Sequence, residues 1–156
     1  SKVENELKVI DPLTITPLEA LNILYRLKEE VKNYLAAKDY ELKDVGCYDL
    51  SSVDYPQFGH AVGKAVASGE CEYGIVICTT GIGMSMMANR FDFIRGALVQ
   101  NTDMAKMCRA HNDANVLVMP GRYIDTETAA QIMEEFFTTE FEGGRHQKRI
   151  DKIPVK

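Results

Sequence analysis

Cysteine is scarce in this chain, and its four copies do not form a metal-binding pattern. There is no Cys-x-x-Cys pair and no closely spaced pair of histidines, so a zinc centre is not expected. No apolar run approaches the roughly 18 residues of a membrane-spanning helix, and no secretory leader is recognisable. We therefore expect reduced thiols in a cytoplasmic protein that does not enter a membrane.

Positive charge is also scarce. The 156 residues carry 18 lysines and arginines against 23 acidic residues, which gives a formal net charge of −5. A nucleic-acid-binding protein usually has a basic face, so nucleic acid is not an expected partner, and a phosphate group would need a local basic cluster. With 46% hydrophobic and 26% charged residues, the chain (1–156) is expected to form one globular domain that ends in a polar, basic segment, 142–156.

Strand and helix signals alternate along the chain. The predicted strands are 7–10, 40–45, 74–78, 94–99 and 115–119. The predicted helices run from a capping box at Thr16 to about residue 37, from 54 to a stop near Ser68-Gly69, from 84 to 90, from a cap near Asn101 over 102–110, and from a cap at Asp125 to about 138. This alternation predicts an α/β fold: a Rossmann-like three-layer α/β/α sandwich with a five-stranded parallel sheet. In a flavodoxin-like strand order the first and third strands would be neighbours, so that Asp11 and Cys78 face one crevice.

The most informative segment ends the third predicted strand. An apolar run from Gly74 breaks at Cys78 into two threonines, Gly81 and Gly83, and helix-favouring residues follow. Ligands of parallel sheets bind at this end of the strands, where glycines let backbone N–H groups approach an anion. The segment lacks the third glycine of a dinucleotide fingerprint and the lysine of a P-loop, so an ordinary strand-to-helix turn stays open.

Three further segments concentrate polar residues. One is His111-Asn112-Asp113-Ala114-Asn115, which directly precedes an apolar strand. Another is Gly143-Gly144-Arg145-His146-Gln147-Lys148-Arg149, in which two arginines four positions apart share a predicted helix face. The third is Asn89, with Arg90 and Arg95 close by.

Taken together, these segments resemble the ribose-5-phosphate isomerase B and galactose-6-phosphate isomerase family over about residues 27–153. The matching motifs, in family order, are Val53-Asp54-Tyr55-Pro56, Ala67-Ser68-Gly69-Glu70, Thr80-Gly81-Ile82-Gly83, Ala88-Asn89, His111-Asn112-Asp113-Ala114-Asn115 and Phe141-Glu142-Gly143-Gly144-Arg145-His146. The resemblance implies a Rossmann-like fold and a homodimer or dimer of dimers with active sites at the subunit interface. It also implies aldose–ketose isomerisation of a phosphorylated sugar, by default ribose 5-phosphate, without a metal or other cofactor.

The resemblance assigns the proton transfer to the segment after the third strand. Cys78 is implied to be the base that moves a proton between C1 and C2 of the open-chain sugar through an enediolate, with Thr80 as a second catalytic residue. The backbone around Gly81, Ile82 and Gly83 is implied to hold the developing oxyanion. A buried and inert Cys78 is the alternative.

The remaining implied roles belong to the other polar segments. His111 matches the residue that opens the sugar ring, and Asn112 matches one that binds sugar hydroxyls. Arg145 and Arg149 fit phosphate contacts, because guanidinium groups match phosphate geometry. Further candidate substrate ligands are Asp11, Asn89 and Arg122. A helix-capping role for His111 and a solvated face for the arginines are the alternatives.

The N-terminal part, 1–26, departs from the family pattern. The family follows its first strand with Ser/Cys-Asp-His-Ala-Gly, whereas this chain has Asp11 followed by Pro12 and an extended helix, with no counterpart for the histidine. Thr79 replaces the usual glycine after the cysteine. Two alternatives therefore stay open: one subunit of a two-chain galactose-6-phosphate isomerase, and a catalytically silent sugar-phosphate-binding protein. Turnover of phosphosugars by the purified protein separates the silent protein from the enzymes.

Overall fold

Helices and strands alternate in the structure, a computed structural model that describes residues 16–47 and 54–154. In chain order the elements are α1 (Pro17–Ala37), α2 (Tyr55–Ala67), β1 (Gly74–Cys78), α3 (Ile82–Ala88), β2 (Gly96–Leu98), α4 (Thr102–Asn112), β3 (Val116–Pro120), α5 (Thr126–Thr138) and α6 (Arg145–Ile150). The alternation confirms the predicted α/β class.

The helix starts follow the predicted capping signals. Thr16 accepts a hydrogen bond from the Glu19 N–H, and the Glu19 carboxylate accepts one in return from the Thr16 N–H. Asn101 caps α4 and Asp125 caps α5, each through a side-chain oxygen. At the far end of α2, Gly69 takes a positive φ of 78°, as the predicted stop requires.

Three parallel strands form the sheet of the described residues, in the order β1-β3-β2. Gly74 and Gly96 both pair with Val116, so the three strands begin together; β1 and β3 end together at Cys78 and Pro120, and β2 ends earlier, at Leu98 opposite Val118. The prediction of five strands is wrong for this part of the chain: 40–45 is described and forms no strand, while 7–10 lies outside the described residues. A polar–apolar alternation becomes a strand only when it pairs with another strand, and none of the described strands pairs with 40–45.

The strand order also differs from the flavodoxin-like prediction, which would place the strand at 94–99 between the other two. Instead β3 lies in the centre, where its five apolar residues are all buried, whereas the three residues of β2 at the side are only partly buried. The most apolar strand therefore takes the position that both neighbours cover. Asp11, which that order would bring to Cys78, lies outside the described residues.

Apolar cores lie on both faces of the sheet, in agreement with a three-layer arrangement. Leu117 and Met119 of β3 pack into a core with helices α1, α4 and α5, and the alternating Val116 and Val118 pack into a second core with α2 and α3. The two cores hold the strand ends in place. Among the described helices, none combines the length and the apolar character needed to cross a membrane.

Candidate active site

The Cys78 thiol lies at the carboxyl end of β1 and is held by backbone groups. The Gly81 N–H donates a hydrogen bond to the sulfur at 3.1 Å, and the Gly121 N–H donates to the Cys78 carbonyl oxygen at 2.9 Å. Gly81 reaches this position through a left-handed conformation (φ 75°), and α3 starts directly after it. The Gly81 N–H thus directs a partial positive charge at the sulfur, at the end of the strands where ligands of parallel sheets bind.

The neighbouring N–H groups already have acceptors within the chain. The Ile82 N–H donates to the Thr80 hydroxyl at 3.3 Å, and the Gly81 N–H is taken by Cys78. Tyr55 also reaches this turn: a Cβ added to Gly83 would lie 2.6 Å from the tyrosine hydroxyl oxygen. The contact of Tyr55 with this turn was missed by the sequence-based interpretation, although the Val-Asp-Tyr-Pro motif contains the residue.

Arg122 lies at the same end of the sheet as Cys78, where the carboxyl ends of the strands meet. It follows β3, and its backbone N–H donates to the Thr79 carbonyl oxygen at 2.9 Å. Its side-chain Nε is buried and has no hydrogen-bond partner among the described residues. Burying a guanidinium N–H without an acceptor costs folding free energy, and an anion bound at this end of the sheet would supply the missing acceptor.

His111 and Asn112 lie at the opposite end of the sheet, near the amino ends of the strands. Helix α4 runs back from the carboxyl end of β2 and ends at Asn112, just before β3 begins. Arg95, which precedes β2, donates from Nε to the Asn112 carbonyl oxygen at 3.1 Å and so ties this helix end to the amino ends of the strands. A five-residue strand is about 13 Å long, so Cys78 and His111 of one chain do not meet.

The rings of His111 and His146 stack, with centroids 4.2 Å apart and planes 8° from parallel. His146 is only 5% exposed, and its Nε2 lies 3.3 Å from a Glu142 carboxylate oxygen. Burial lowers the pKa of His146, and the nearby His111 and Arg145 lower it further. Arg145 and Arg149 lie exposed on the same short helix, α6. The structure thus groups His111 with the predicted phosphate ligands, at the amino ends of the strands and away from Cys78.

Within the described ranges, His111, Glu142 and His146 are the side chains that could hold a metal, since one donor atom from each lies within 4.8 Å of the others. A metal ion binds in the plane of an imidazole ring. Two stacked, parallel rings cannot both direct a nitrogen at one ion, so one ring would have to turn. This geometry does not favour a metal centre.

Asn89 serves the fold in this structure. Its amide nitrogen donates to the Ser85 and Gly96 carbonyl oxygens, at 3.0 and 2.9 Å, and its amide oxygen accepts from the Gly96 N–H at 2.9 Å. The side chain therefore joins the end of α3 to the start of β2. Its role as a sugar ligand stays a prediction.

Two members of the polar motif before β3 also bind the chain itself. Asp113 ends α4 at a positive φ of 45°, and its carboxylate pairs with Arg95 and Arg109 at 2.9 and 2.8 Å. Asn115 accepts from the Arg95 N–H and donates to the Phe93 carbonyl oxygen, each at 2.8 Å. The dense polar motif thus fixes the turn from which His111 and Asn112 project. Sequence reasoning missed this network: Arg95 is 18 positions from Asp113 in the chain, whereas the Arg109–Asp113 pair, four positions apart on one helix, is a local signal that could have found it.

The comparison with known proteins decides the family. A family model described as Ribose/Galactose Isomerase matches residues 22–153, which is most of the chain. The chain belongs to this isomerase family. A second model, described as the C-terminal region of the DNA mismatch repair protein MutS, matches residues 1–30, too short a stretch to show membership.

Individual members of the isomerase family agree. The chain is 39% identical over 127 residues to ribose-5-phosphate isomerase B of Escherichia coli, covering 81% of this chain and 85% of that protein. It is 46% identical over 128 residues to a putative sugar phosphate isomerase of Bacillus subtilis, covering 81% and 86%. The prediction of a sugar-phosphate isomerase is confirmed at the level of the family.

Solved structures of the family match the fold. A ribose 5-phosphate isomerase from Thermotoga maritima superposes with a TM-score of 0.80 at 50% identity, covering 83% of this chain and 89% of that chain. Ribose-5-phosphate isomerase B from Mycoplasma genitalium, solved with bound ribulose-5-phosphate, gives 0.78 at 36% identity, covering 81% and 85%.

Replacing Gly81 by alanine should disable this isomerase site more than it disables the fold. The left-handed conformation costs alanine about 1–2 kcal/mol, and the added Cβ would collide with the Leu98 side chain. The turn would shift, and the N–H would move away from the Cys78 sulfur. Gly69→Ala is the matched control, because Gly69 has a similar φ of 78° but nothing within 4 Å of the added Cβ. We expect both variants to lose stability in thermal unfolding, Gly81→Ala somewhat more because of the collision, and only Gly81→Ala to lose kcat; equal kcat in the two would contradict this role of the turn.

Proposed function

We propose that this protein interconverts a phosphorylated aldose and its ketose, with ribose 5-phosphate and ribulose 5-phosphate as the default pair. Family membership supports the reaction class, and the bound ribulose-5-phosphate of the Mycoplasma genitalium relative supports the pentose. The single observation that carries the proposal is the Cys78 sulfur at the end of β1, with an N–H group directed at it at 3.1 Å. The test is turnover of ribose 5-phosphate by the purified protein and its loss in a Cys78 variant.

In the proposed mechanism Cys78 acts as the base. Its thiolate takes the proton from C2 of the open-chain aldose, and electrons move to the C1 oxygen to form an enediolate. The proton of the C2 hydroxyl then passes to the C1 oxygen, and Cys78 returns its proton to C1 as the C2 carbonyl forms, which gives the ketose. The Thr80 hydroxyl and the N–H groups of the turn stabilise the negative oxygen; at Ile82 the substrate oxygen would replace the Thr80 hydroxyl as acceptor. Each step moves a proton without a Lewis acid, so we propose that no metal takes part.

The position of His111 supports a site built from two copies of the chain. His111 lies near the amino ends of the strands and Cys78 lies at the carboxyl end of β1. A second copy of the chain is therefore needed to bring the two residues to one sugar. Large apolar side chains near α3 lie open to solvent in the single chain: Ile82 is 51% exposed, Met86 67% and Phe93 81%. Such apolar exposure beside a site is typical of an interface. We propose a homodimer in which one copy supplies Cys78 and Arg122, and its partner supplies His111, Asn112, Arg145 and Arg149.

Arg149→Ala should raise KM for the sugar phosphate while changing kcat little. The guanidinium is proposed to hold the phosphate, which stays bound throughout the reaction, so its loss weakens ground state and transition state alike. A charged hydrogen bond of this kind corresponds to a change of roughly tenfold or more in KM. The control is Lys148→Ala, which removes a neighbouring exposed charge from the same helix. Equal effects of the two changes would indicate general electrostatic attraction rather than a phosphate contact.

The two alternative functions make different predictions for the isolated chain. A silent sugar-phosphate-binding protein would bind ribose 5-phosphate without converting it, which Thr79 and the altered 1–26 segment leave open. A galactose-6-phosphate isomerase subunit would need a second, different chain for activity. Cys78 and the pair of arginines are all present in one chain, which favours an enzyme that needs only copies of itself.

A further inference from the structure

The turn between α5 and α6 brings a carboxylate to His111. The Glu142 N–H donates to the Ala110 carbonyl oxygen at 3.0 Å, which ties the turn to the last residues of α4. Gly143 and Gly144 follow with φ values of 64° and 55°, so the chain reverses here, and the His146 N–H closes the turn on the Gly143 carbonyl oxygen at 3.0 Å. Glu142 and His146 thereby lie on the same side of the turn, against His111.

One oxygen of the Glu142 carboxylate lies beside both imidazoles. It is 3.3 Å from Nε2 of His146 and 3.8 Å from Nε2 of His111. The His146 Nε2 is buried and makes no hydrogen bond of good geometry to any described residue, and its ring packs face to face against that of His111. His146 thus forms a fixed wall for the His111 ring, and Glu142 places a negative charge at its edge.

We propose that Glu142 is a positioning residue for His111, which holds the ring against His146 and stabilises the positive charge that His111 gains during sugar-ring opening. This inference rests on the proposed function, because it assigns ring opening to His111. In that step His111 accepts the proton of the anomeric hydroxyl, the C1–ring-oxygen bond breaks with its electrons going to the ring oxygen, and the proton passes to that oxygen. The products are the C1 carbonyl and a free hydroxyl, and His111 is neutral again.

The carboxylate also selects the nitrogen that reacts. A negative oxygen next to Nε2 favours the neutral form of His111 with its proton on Nε2, which leaves Nδ1 with the free electron pair for the sugar. The other charged groups that act on the pair are Arg145 and Arg149 of α6, and both oppose protonation of His146. Because burial, His111 and these arginines lower the pKa of His146, that ring stays neutral while His111 cycles. Two stacked imidazolium ions are thereby avoided.

Glu142→Gln tests the proposal, since it replaces the carboxylate by an amide of the same size. The chain has three histidines, so the His111 signal can be assigned in NMR spectra with a His111→Asn variant. The carboxylate oxygen lies 3.8 Å from Nε2, so its removal should shift the neutral His111 ring from the form with its proton on Nε2 toward a mixture of the two tautomers, which the nitrogen chemical shifts of the ring report. Glu140→Gln, which changes an exposed acidic residue two positions earlier, should leave the tautomer of His111 unchanged. An unchanged His111 tautomer in Glu142→Gln would overturn the proposal.

Kinetics with ribose 5-phosphate separate this role from a structural one. In Glu142→Gln we expect kcat to fall roughly tenfold, because the charge that stabilises protonated His111 during ring opening is lost. Glu142→Asp keeps the charge and should recover part of the loss. Equal losses of kcat in Glu142→Asp and Glu142→Gln would overturn the proposal. Absence of turnover in the wild-type protein would instead refute the proposed function, so the two failures are distinguishable.

Discussion

Cys78→Ser should lower kcat for ribose 5-phosphate by about 10³-fold, with no loss of folding. Serine is close in shape to cysteine, and its oxygen can accept the Gly81 N–H as the sulfur does, so the turn keeps its hydrogen bond. Its hydroxyl is a far weaker acid than a thiol, however, and it supplies almost no base near neutral pH. Steady-state rates together with thermal unfolding of the same samples measure both parts of this expectation.

The matched control for Cys78 is Cys71. Both cysteines are partly buried and pack against the same apolar core on the α2–α3 face of the sheet. Cys71→Ser therefore introduces the same chemical change in a similar environment, and it should leave kcat unchanged. An active Cys78→Ser protein would remove Cys78 as the base, and equal losses in the two variants would attribute the effect to the core.

Two inactive variants should regain activity when one chain of each forms a mixed dimer. If a site takes Cys78 from one copy and His111 from the other, a dimer of Cys78→Ala and His111→Asn chains has one site that carries both changes and one that carries neither. Random assembly of equal amounts then gives about a quarter of the wild-type activity. Co-expression of the two chains with different tags, followed by activity measurement, tests this expectation.

The control for restored activity uses two changes in the same half of the site. Dimers of Cys78→Ala and Cys78→Ser chains have a change in every site and should stay inactive. Mass spectrometry under native conditions verifies that mixed dimers have formed. Verified mixed dimers of the Cys78 and His111 variants without activity would contradict a shared site and would require both residues to act within one chain.

Local signals were sufficient for most of the fold. Thr16, Asn101 and Asp125 were predicted as helix caps and act as caps, because capping depends on residues within one turn. The strand at 40–45 was predicted from alternation alone and is absent, since a strand depends on a neighbour elsewhere in the chain. The central position of β3 likewise depends on burial from both sides, which the order of elements does not give.

The candidate site also divides into features that depend on local sequence and features that depend on the packing of distant segments. The position of Cys78 at a strand end and its contact with the following turn are local, and the sequence indicated them. The separation of Cys78 from His111 could also have been predicted. Cys78 ends a strand, whereas His111 is near the end of a helix that leads into the next parallel strand, and these two positions lie at opposite ends of a parallel sheet. The stacking of His146 on His111 and the placement of Glu142 depend on packing of α6 against α4, for which no local signal exists.

The most direct test of the account is the fate of ribose 5-phosphate with the purified wild-type protein, followed by NMR in the presence of EDTA. The account predicts conversion to ribulose 5-phosphate until aldose and ketose reach equilibrium, at the same rate with and without the chelator, and no conversion by Cys78→Ala. Binding of ribose 5-phosphate without conversion would contradict it and would identify a sugar-phosphate-binding protein built on an isomerase fold.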